Sequence, residues 1–238
     1  MNHIQTVCSN GSPPLVTFAL FAFNQEKFIR EAIKGAFSQT YSHLEIILSD
    51  DCSSDRTFEI MQEMAAEYDG LHTVILNRNK NNLGVGGHVN RMMEIANGEL
   101  IVGAAGDDIS LPERTAIICD EWMASGKKHK SLFSNQLIIN ELGETTGKYF
   151  KNIPSYTRNI TDFMNNRRCW VTGCSHAFEK SLFDIYGPID RRIIQEDGAI
   201  SFRAILSGKG GHRGRCYIMK LIIVKVQRRQ RLLAIVEH

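Results

Sequence analysis

The sequence predicts an α/β protein of three layers, helices covering both faces of a mostly parallel central sheet. Three observations lead there. Short apolar, β-branched runs alternate with segments of about ten to fifteen residues whose apolar positions recur at helical spacing. The first of these runs, Val16–Phe23, is almost continuously apolar, as in a parallel strand buried on both faces. Two of them run straight into acidic pairs, and in open parallel sheets ligands bind beyond the carboxyl ends of the strands.

The elements follow in order. Residues 1–14 are polar, end in Pro13-Pro14 and read as a disordered leader. Val16–Phe23 is a buried strand, and Asn24 after it is a helix N-cap candidate. Phe28, Ile29, Ala32, Ile33, Ala36 and Phe37 give the first helix, which Gln39-Thr40-Tyr41 ends. Leu44–Ser49 is a second strand ending at Asp50-Asp51, and Asp55 caps a second helix carrying Phe58, Met61 and Met64. Leu71–Leu76 is a third strand, and Leu83-Gly84 opens a helix running to about Ala96. Glu99–Ala104 is a fourth strand ending at Gly106-Asp107-Asp108, with Pro112 suited to the first turn of the next helix.

The second half is less regular. Ser131–Asn140 reads as a strand, Gly143 as a hairpin turn, Tyr149–Ile160 as a loop and Arg168–Phe178 as strand or loop. Gly187-Pro188 is a turn, and Glu196-Asp197 opens a helix over Gly198–Ser207. Four glycines in Gly208–Gly214 make a flexible joint. No repeat or linker divides the chain. The expected organisation is one domain over 15–208 and an atypical basic tail over 209–238, with no Asp or Glu between Lys209 and Arg231.

Composition narrows the function. Apolar residues are 43% and charged residues 23%, ordinary soluble usage. A net charge of +2 carries no nucleic-acid footprint. The six cysteines form no Cys-x-x-Cys pair, which argues against zinc and dithiol chemistry and suggests a reducing compartment. Residues 1–14 lack the basic start and apolar core of a signal peptide, and no apolar run is long enough to span a bilayer. The expectation is a cytoplasmic protein, with the basic tail able to touch anionic lipid at the inner face of the membrane.

The acidic pairs carry the chemistry. Adjacent carboxylates at Asp107-Asp108 repel unless they share a cation, and Mg²⁺ or Mn²⁺ takes one or two carboxylates while keeping positions for water and phosphate. A turn with a helix cap would also put acids there. Asp50 and Asp51 could contact a base or ribose, with Asp55 as the cap. Glu196-Asp197 suits the positive end of a helix, and also suits a general base. Ser175-His176 are neighbours whose side chains point to opposite faces of a strand, so they do not make a nucleophile–base pair. His72 and His88 read as structural. Gly84-Val85-Gly86-Gly87 lacks the features of a P-loop, yet could lie near a diphosphate.

These segments, in this order, resemble the inverting glycosyltransferases of family 2, which have the GT-A (Rossmann-like) fold. The resemblance runs from about Leu15 to Gly208. It rests on Phe23-Asn24 with Gln39-Thr40-Tyr41; on Ile46 to Thr57 around Asp50-Asp51; on Asn82-Leu83-Gly84 with Asn90 and Ala96 to Glu99; on Gly106-Asp107-Asp108; and on Glu196-Asp197 with Arg203-Ala204. It implies a nucleotide site drawing on Phe21, Phe23, Asn24, Asp50, Asp51, Asn82, Gly84, Asn90 and Asp107. It implies Mn²⁺ or Mg²⁺ on Asp108 and Asp107, Asp108 the safer assignment of the two, and Asp197 as catalytic base. The implied donor is a nucleotide-diphospho-sugar, usually UDP-linked. The implied acceptor is a saccharide or glycoconjugate, as in cell-surface polysaccharide assembly, and a homodimer is left open.

Three departures stand beside it. The family's strand-end Asp-x-Asp-Asp has Ala105 for its first Asp. The family's usual Pro-Thr-Tyr-Asn reads Phe21-Ala22-Phe23-Asn24. The chain ends early with an atypical tail, for which truncation or a shifted frame would account. The alternative reading is a degenerate domain that binds nucleotide or a partner without turnover. Nucleotidyltransferases share the fold, but the Gly-rich Arg/Lys loop they carry after the first strand is absent here.

Overall fold

The computed structural model describes residues 12–140, 144–150, 173–207 and 216–226. Residues 1–11 of the leader expected over 1–14, the hairpin turn at Gly143, residues 151–160 of the loop expected over Tyr149–Ile160 and the glycine joint lie outside them. In chain order come β1 (Val16–Ala22), α1 (Ile29–Phe37), β2 (Leu44–Asp50), α2 (Thr57–Ala66), β3 (Thr73–Arg78), α3 (Gly84–Ile95), β4 (Leu100–Ala105), β5 (Asp108–Ser110) and α4 (Arg114–Ala124). There follow β6 (Ser131–Ile139), β7 (Thr145–Phe150), a 3₁₀ turn (Gly173–Ser175), β8 (His176–Glu179), α5 (Ser181–Tyr186), α6 (Glu196–Leu206) and β9 (Cys216–Val226).

One sheet joins the strands in the order β3-β2-β1-β4-β8-β6-β9-β5, with β7 on β6. The first four are parallel, as the alternation of strands and helices predicts. β8 is antiparallel to both β4 and β6, and there the parallel half passes into a mixed half. Side chains alternate along β1 and supply both faces. Phe18 and Leu20 join Ile33, Ile46, Met61, Ile118 and Trp122 under α1, α2 and α4. Ala19 joins Ile47, Val89, Met92, Phe178 and Ile200 under α3 and α6. That is the three-layer architecture.

Two expectations change. Cys216–Val226 falls within the expected basic tail, but it pairs with β6 and β5 as a strand of the sheet. Its run Tyr-Ile-Met-Lys-Leu-Ile-Ile-Val is apolar and β-branched, and this outweighs the basic residues around it. Residues 209–215 and 227–238 of the expected tail, with the lipid contact assigned to it, lie outside the described residues. Tyr149 belongs to β7 rather than to a loop. Among the described residues no helix is long and apolar enough to cross a membrane.

Candidate active site

The register levels the carboxyl ends of the parallel strands. Ala22 pairs with Asp50 and Asp50 with Arg78, while Phe21 pairs with Ala105. Beyond these ends opens a cleft of about 1050 Å³, solvent at its mouth included. β1 contributes Phe21 and Ala22 to it, with Phe23 just beyond. β4 contributes Gly103 to Ala105; Asp51, Asn82, Gly84 and His88 come from the α3 side, and Gly173, Cys174 and Glu196 from the far wall. The crevice expected at the strand ends therefore exists.

The two aspartates after β2 have different work. Asp50 is fully buried and closes its own turn, accepting from Ser53 N at 2.9 Å and from Ser53 Oγ, with Arg78 Nε 3.5 Å away. Asp51 lines the cleft and accepts from Asn79 Nδ2 (2.8 Å), Leu83 N (2.9 Å) and Gly84 N (3.1 Å). It thereby satisfies backbone donors at the start of α3. Asn82 Oδ1 shares the Gly84 N–H at 2.9 Å. Gly84 has φ +69°, the left-handed conformation that glycine adopts without strain.

One turn into α3, the His88 ring meets Phe21 edge-on with centroids 5.1 Å apart. Its Nε2 lies 2.6 Å from Ser49 Oγ, whose oxygen also receives the Asn77 amide at 2.9 Å. Burial holds this imidazole below its usual pKa, against the pull of Asp51 and Asp50. His88 is thus a neutral polar group in the cleft wall, beyond the structural role its lone position suggested.

Asn24 does not cap α1, which starts at Ile29. It adopts φ +51°, tolerable for Asn, and its Oδ1 accepts from Ser54 N at 2.9 Å. Ser53 Oγ accepts from Asn24 N at 2.8 Å, so the residue stitches the loops after β1 and β2 together. Asn90 exchanges two hydrogen bonds of 2.7 Å with the backbone of Ile189, which occupies its amide away from the cleft lining. Asp55 is not the cap expected of it, since Arg56 holds the N-cap position of α2; one residue earlier, its Oδ1 accepts from Thr57 N at 3.0 Å.

At the end of β4 the turn is tight. A Cβ on Gly106 would collide with Gln25, Ala22 and Ile29. Asp107 follows, half-buried, and accepts from Gln25 Nε2 at 3.0 Å. Asp108 begins β5 and is only 4% exposed. Beneath it Arg114 is fully buried, its pKa lowered by burial to about 10 and supported by Cys174 and Asp108, so it remains a cation at neutral pH. Asp108 therefore has an internal positive neighbour, and Asp107 is the more accessible of the two. The described residues hold no group of three or more His, Cys, Asp or Glu able to cage a metal. Two hard oxygen donors on a strand-end turn fit a cation that takes one or two carboxylates and completes its shell with water and phosphate.

On the far wall, α6 starts with Glu196 and Asp197, as expected. Asp197 Oδ1 accepts from Gly198 N at 2.7 Å, within the first turn. Glu196 lines the cleft, its carboxylate so close over Gly173 that a Cβ there would strike it. Burial, and next the charge of Asp197, push Glu196 up to about 7. The resemblance implies Asp197 as the base, whereas the member of the pair that lines the cleft is Glu196.

The shift carries a stability prediction. Between an ordinary value of 4.5 and about 7, the folded state keeps a proton that the unfolded state has released, so stability falls as pH rises through that window. Glu196→Gln removes the titration. It is expected to raise the urea unfolding free energy at pH 8 by roughly 2–3 kcal/mol, and to change it little at pH 4.5.

Ser175 and His176 do not pair. His176 Nε2 lies 2.8 Å from Ser131 Oγ, its ring stacks on Phe133, and burial followed by Arg114 lowers its pKa to about 3. It is a neutral core histidine at the cleft floor. Sequence reasoning missed the roles of Glu196, His88 and the Gly103, Gly173 and Cys174 wall. Only the adjacency of Glu196 to Asp197 gave a signal for any of these.

Comparison with known proteins shows the family and the fold. The model of Glycosyl transferase family 2 matches residues 17–176. The putative glycosyltransferase EpsE of Bacillus subtilis is 30% identical over 147 residues, covering 60% of this chain and 51% of EpsE. The chain thus spans about half the length of that relative. The Staphylococcus aureus TarS 1-349 structure with UDP-GlcNAc superposes with TM-score 0.67 at 16% identity, covering 94% of this chain and 62% of TarS 1-349. The mannosyltransferase PcManGT of Pyrobaculum calidifontis, solved with GDP-Man and Mn²⁺, gives TM-score 0.65 at 17% identity, covering 92% and 58%.

Proposed function

This chain belongs to glycosyl transferase family 2 and has the GT-A fold, and on that premise we propose that it moves a sugar from a nucleotide-diphospho-sugar to an acceptor hydroxyl with inversion. The observation that carries the reading is the common cleft. Asp51 borders it on one side and Glu196 on the other, with the Asp107-Asp108 turn just past its β4 floor. We assign the donor as UDP-linked and the acceptor as a saccharide or glycoconjugate of surface polysaccharide assembly. TarS, solved with UDP-GlcNAc, supports the donor class.

In this reading the nucleoside lies against Phe21 and Phe23, within reach of Asp51 and Asn82. The diphosphate points towards Asp107, the more accessible member of its pair. Asp107 and Asp108 would hold Mn²⁺ or Mg²⁺, which when bound neutralises charge on the departing diphosphate. The first metal contact is assigned to Asp107, since Asp108 is buried beside Arg114. Asp197 takes the proton of the acceptor hydroxyl. The acceptor oxygen bonds to the anomeric carbon, and the bond from that carbon to the diphosphate oxygen breaks with its electron pair on the leaving group. Glu196 and the apolar wall of Phe178 and Ile200 limit water at the reacting carbon.

Product analysis tests the proposal. Incubation with UDP- and GDP-sugars, Mn²⁺ and mixed oligosaccharide acceptors is expected to release nucleoside diphosphate and lengthen an acceptor. Release of pyrophosphate would identify a nucleotidyltransferase instead. Binding without any nucleoside diphosphate release would identify a non-catalytic domain.

A further inference from the structure

The ladder between β4 and β8 ends at Val102 and Ala177. One residue further, Gly103 and the Gly173–Ser175 turn still run side by side, and a Cβ on Gly103 would lie 3.3 Å from the carbonyl oxygens of Gly173 and His176. Nothing in the ladder joins them there. The guanidinium of Arg114 does. Its Nη2 donates to Gly103 O at 2.6 Å and to Cys174 O at 2.9 Å, and its Nη1 donates to Ser110 Oγ at 2.9 Å. It sits 5.9 Å from the Phe18 ring centroid with 0% exposure.

A buried cation is costly to desolvate, and a well-packed apolar side chain is often as stable in its place. What an apolar side chain lacks is a planar fork with several donors of fixed direction. Gly103 and Cys174 both line the cleft, and Gly173 beside Cys174 supports the Glu196 carboxylate. The fork therefore ties the β4 floor to the wall that faces the start of α6. Ser110, its third partner, lies on the strand that begins with Asp108.

We propose that Arg114 is a positioning residue, bridging the end of β4 to the Gly173–Ser175 turn where the sheet ladder stops and so fixing the acceptor-side wall relative to the donor floor. The consequence for turnover rests on the transferase reading above; the bridge itself does not. Because the donor is held by other residues, loss of the fork acts on the chemical step and spares donor binding.

The test compares full-length wild type with Arg114→Lys, which keeps the charge and loses the fork. Hydrogen exchange followed by mass spectrometry is expected to speed up about tenfold or more in peptides covering 173–178. Peptides of β1, β2 and β3 are expected to stay within about twofold. With whichever UDP- or GDP-sugar the wild type turns over, kcat is expected to fall at least tenfold and the donor KM to stay within about threefold.

Unchanged exchange at 173–178 overturns the proposal. So does acceleration spread equally over the sheet, or a parallel loss of donor affinity and kcat, since both describe a merely structural residue. If the wild type turns over no sugar nucleotide, the proposed function fails, and the exchange data still decide the bridge. Should Arg114→Lys not fold, Ser110→Ala removes one acceptor of the fork. A smaller acceleration confined to 173–178 supports the bridge, and none overturns it.

Discussion

Asp197→Asn is expected to lower turnover by about 10²–10⁴-fold, the usual contribution of a positioned proton acceptor. Nucleotide binding should stay within a few-fold, because Asp197 belongs to the start of α6 on the side of the cleft opposite Asp51. The comparison variant is Glu196→Gln. Glu196 lines the cleft and, at about 7, is half-ionised near neutral pH, so it would modulate rate with pH. A loss of that size in Glu196→Gln, with Asp197→Asn still active, would reassign the proton acceptor to Glu196. Initial rates from pH 5.5 to 9 for both variants and wild type make the distinction.

The parallel half of the sheet was legible because β1, β2 and β4 are buried almost throughout and alternate with helices that carry apolar stripes. Phe18 and Ala19, adjacent in sequence, feed opposite core clusters, as such a strand must. The far half was less legible. β9 follows the glycine joint and carries Lys220 and Lys225, so local charge obscured a strand that tertiary pairing specifies. Within the site, the position of Asp51 at a strand end could be read. That its oxygens hold the start of α3 could not, because this depends on Leu83 and Gly84 folding back across the strand ends. Asn24 and Asn90 entered the candidate nucleotide site through the family resemblance alone. In the fold their polar atoms meet Ser53, Ser54 and Ile189, partners that local sequence does not indicate. The bridging role of Arg114 had no sequence signal, since its partners are mostly backbone carbonyls distant in the chain.

Asp107→Ala and Asp108→Ala are expected to differ in kind. Asp107 is half-buried at the turn, so its loss should remove metal-dependent donor binding and at least about 100-fold of turnover while leaving thermal stability close to wild type. Asp108 is 4% exposed beside the buried Arg114 cation. Truncating it takes away a compensating charge and is expected to destabilise the fold, seen as a lower unfolding midpoint than that of Asp107→Ala.

Calorimetry on the first of these variants tests the central claim most directly. UDP-N-acetylglucosamine and GDP-mannose are titrated into wild type and Asp107→Ala, each with Mn²⁺ and again with excess EDTA. The account predicts that one of the two donors binds wild type at least tenfold more tightly with Mn²⁺ than with EDTA, and that Asp107→Ala shows no such difference. Binding of neither donor, or binding that is equal under all four conditions, would contradict it.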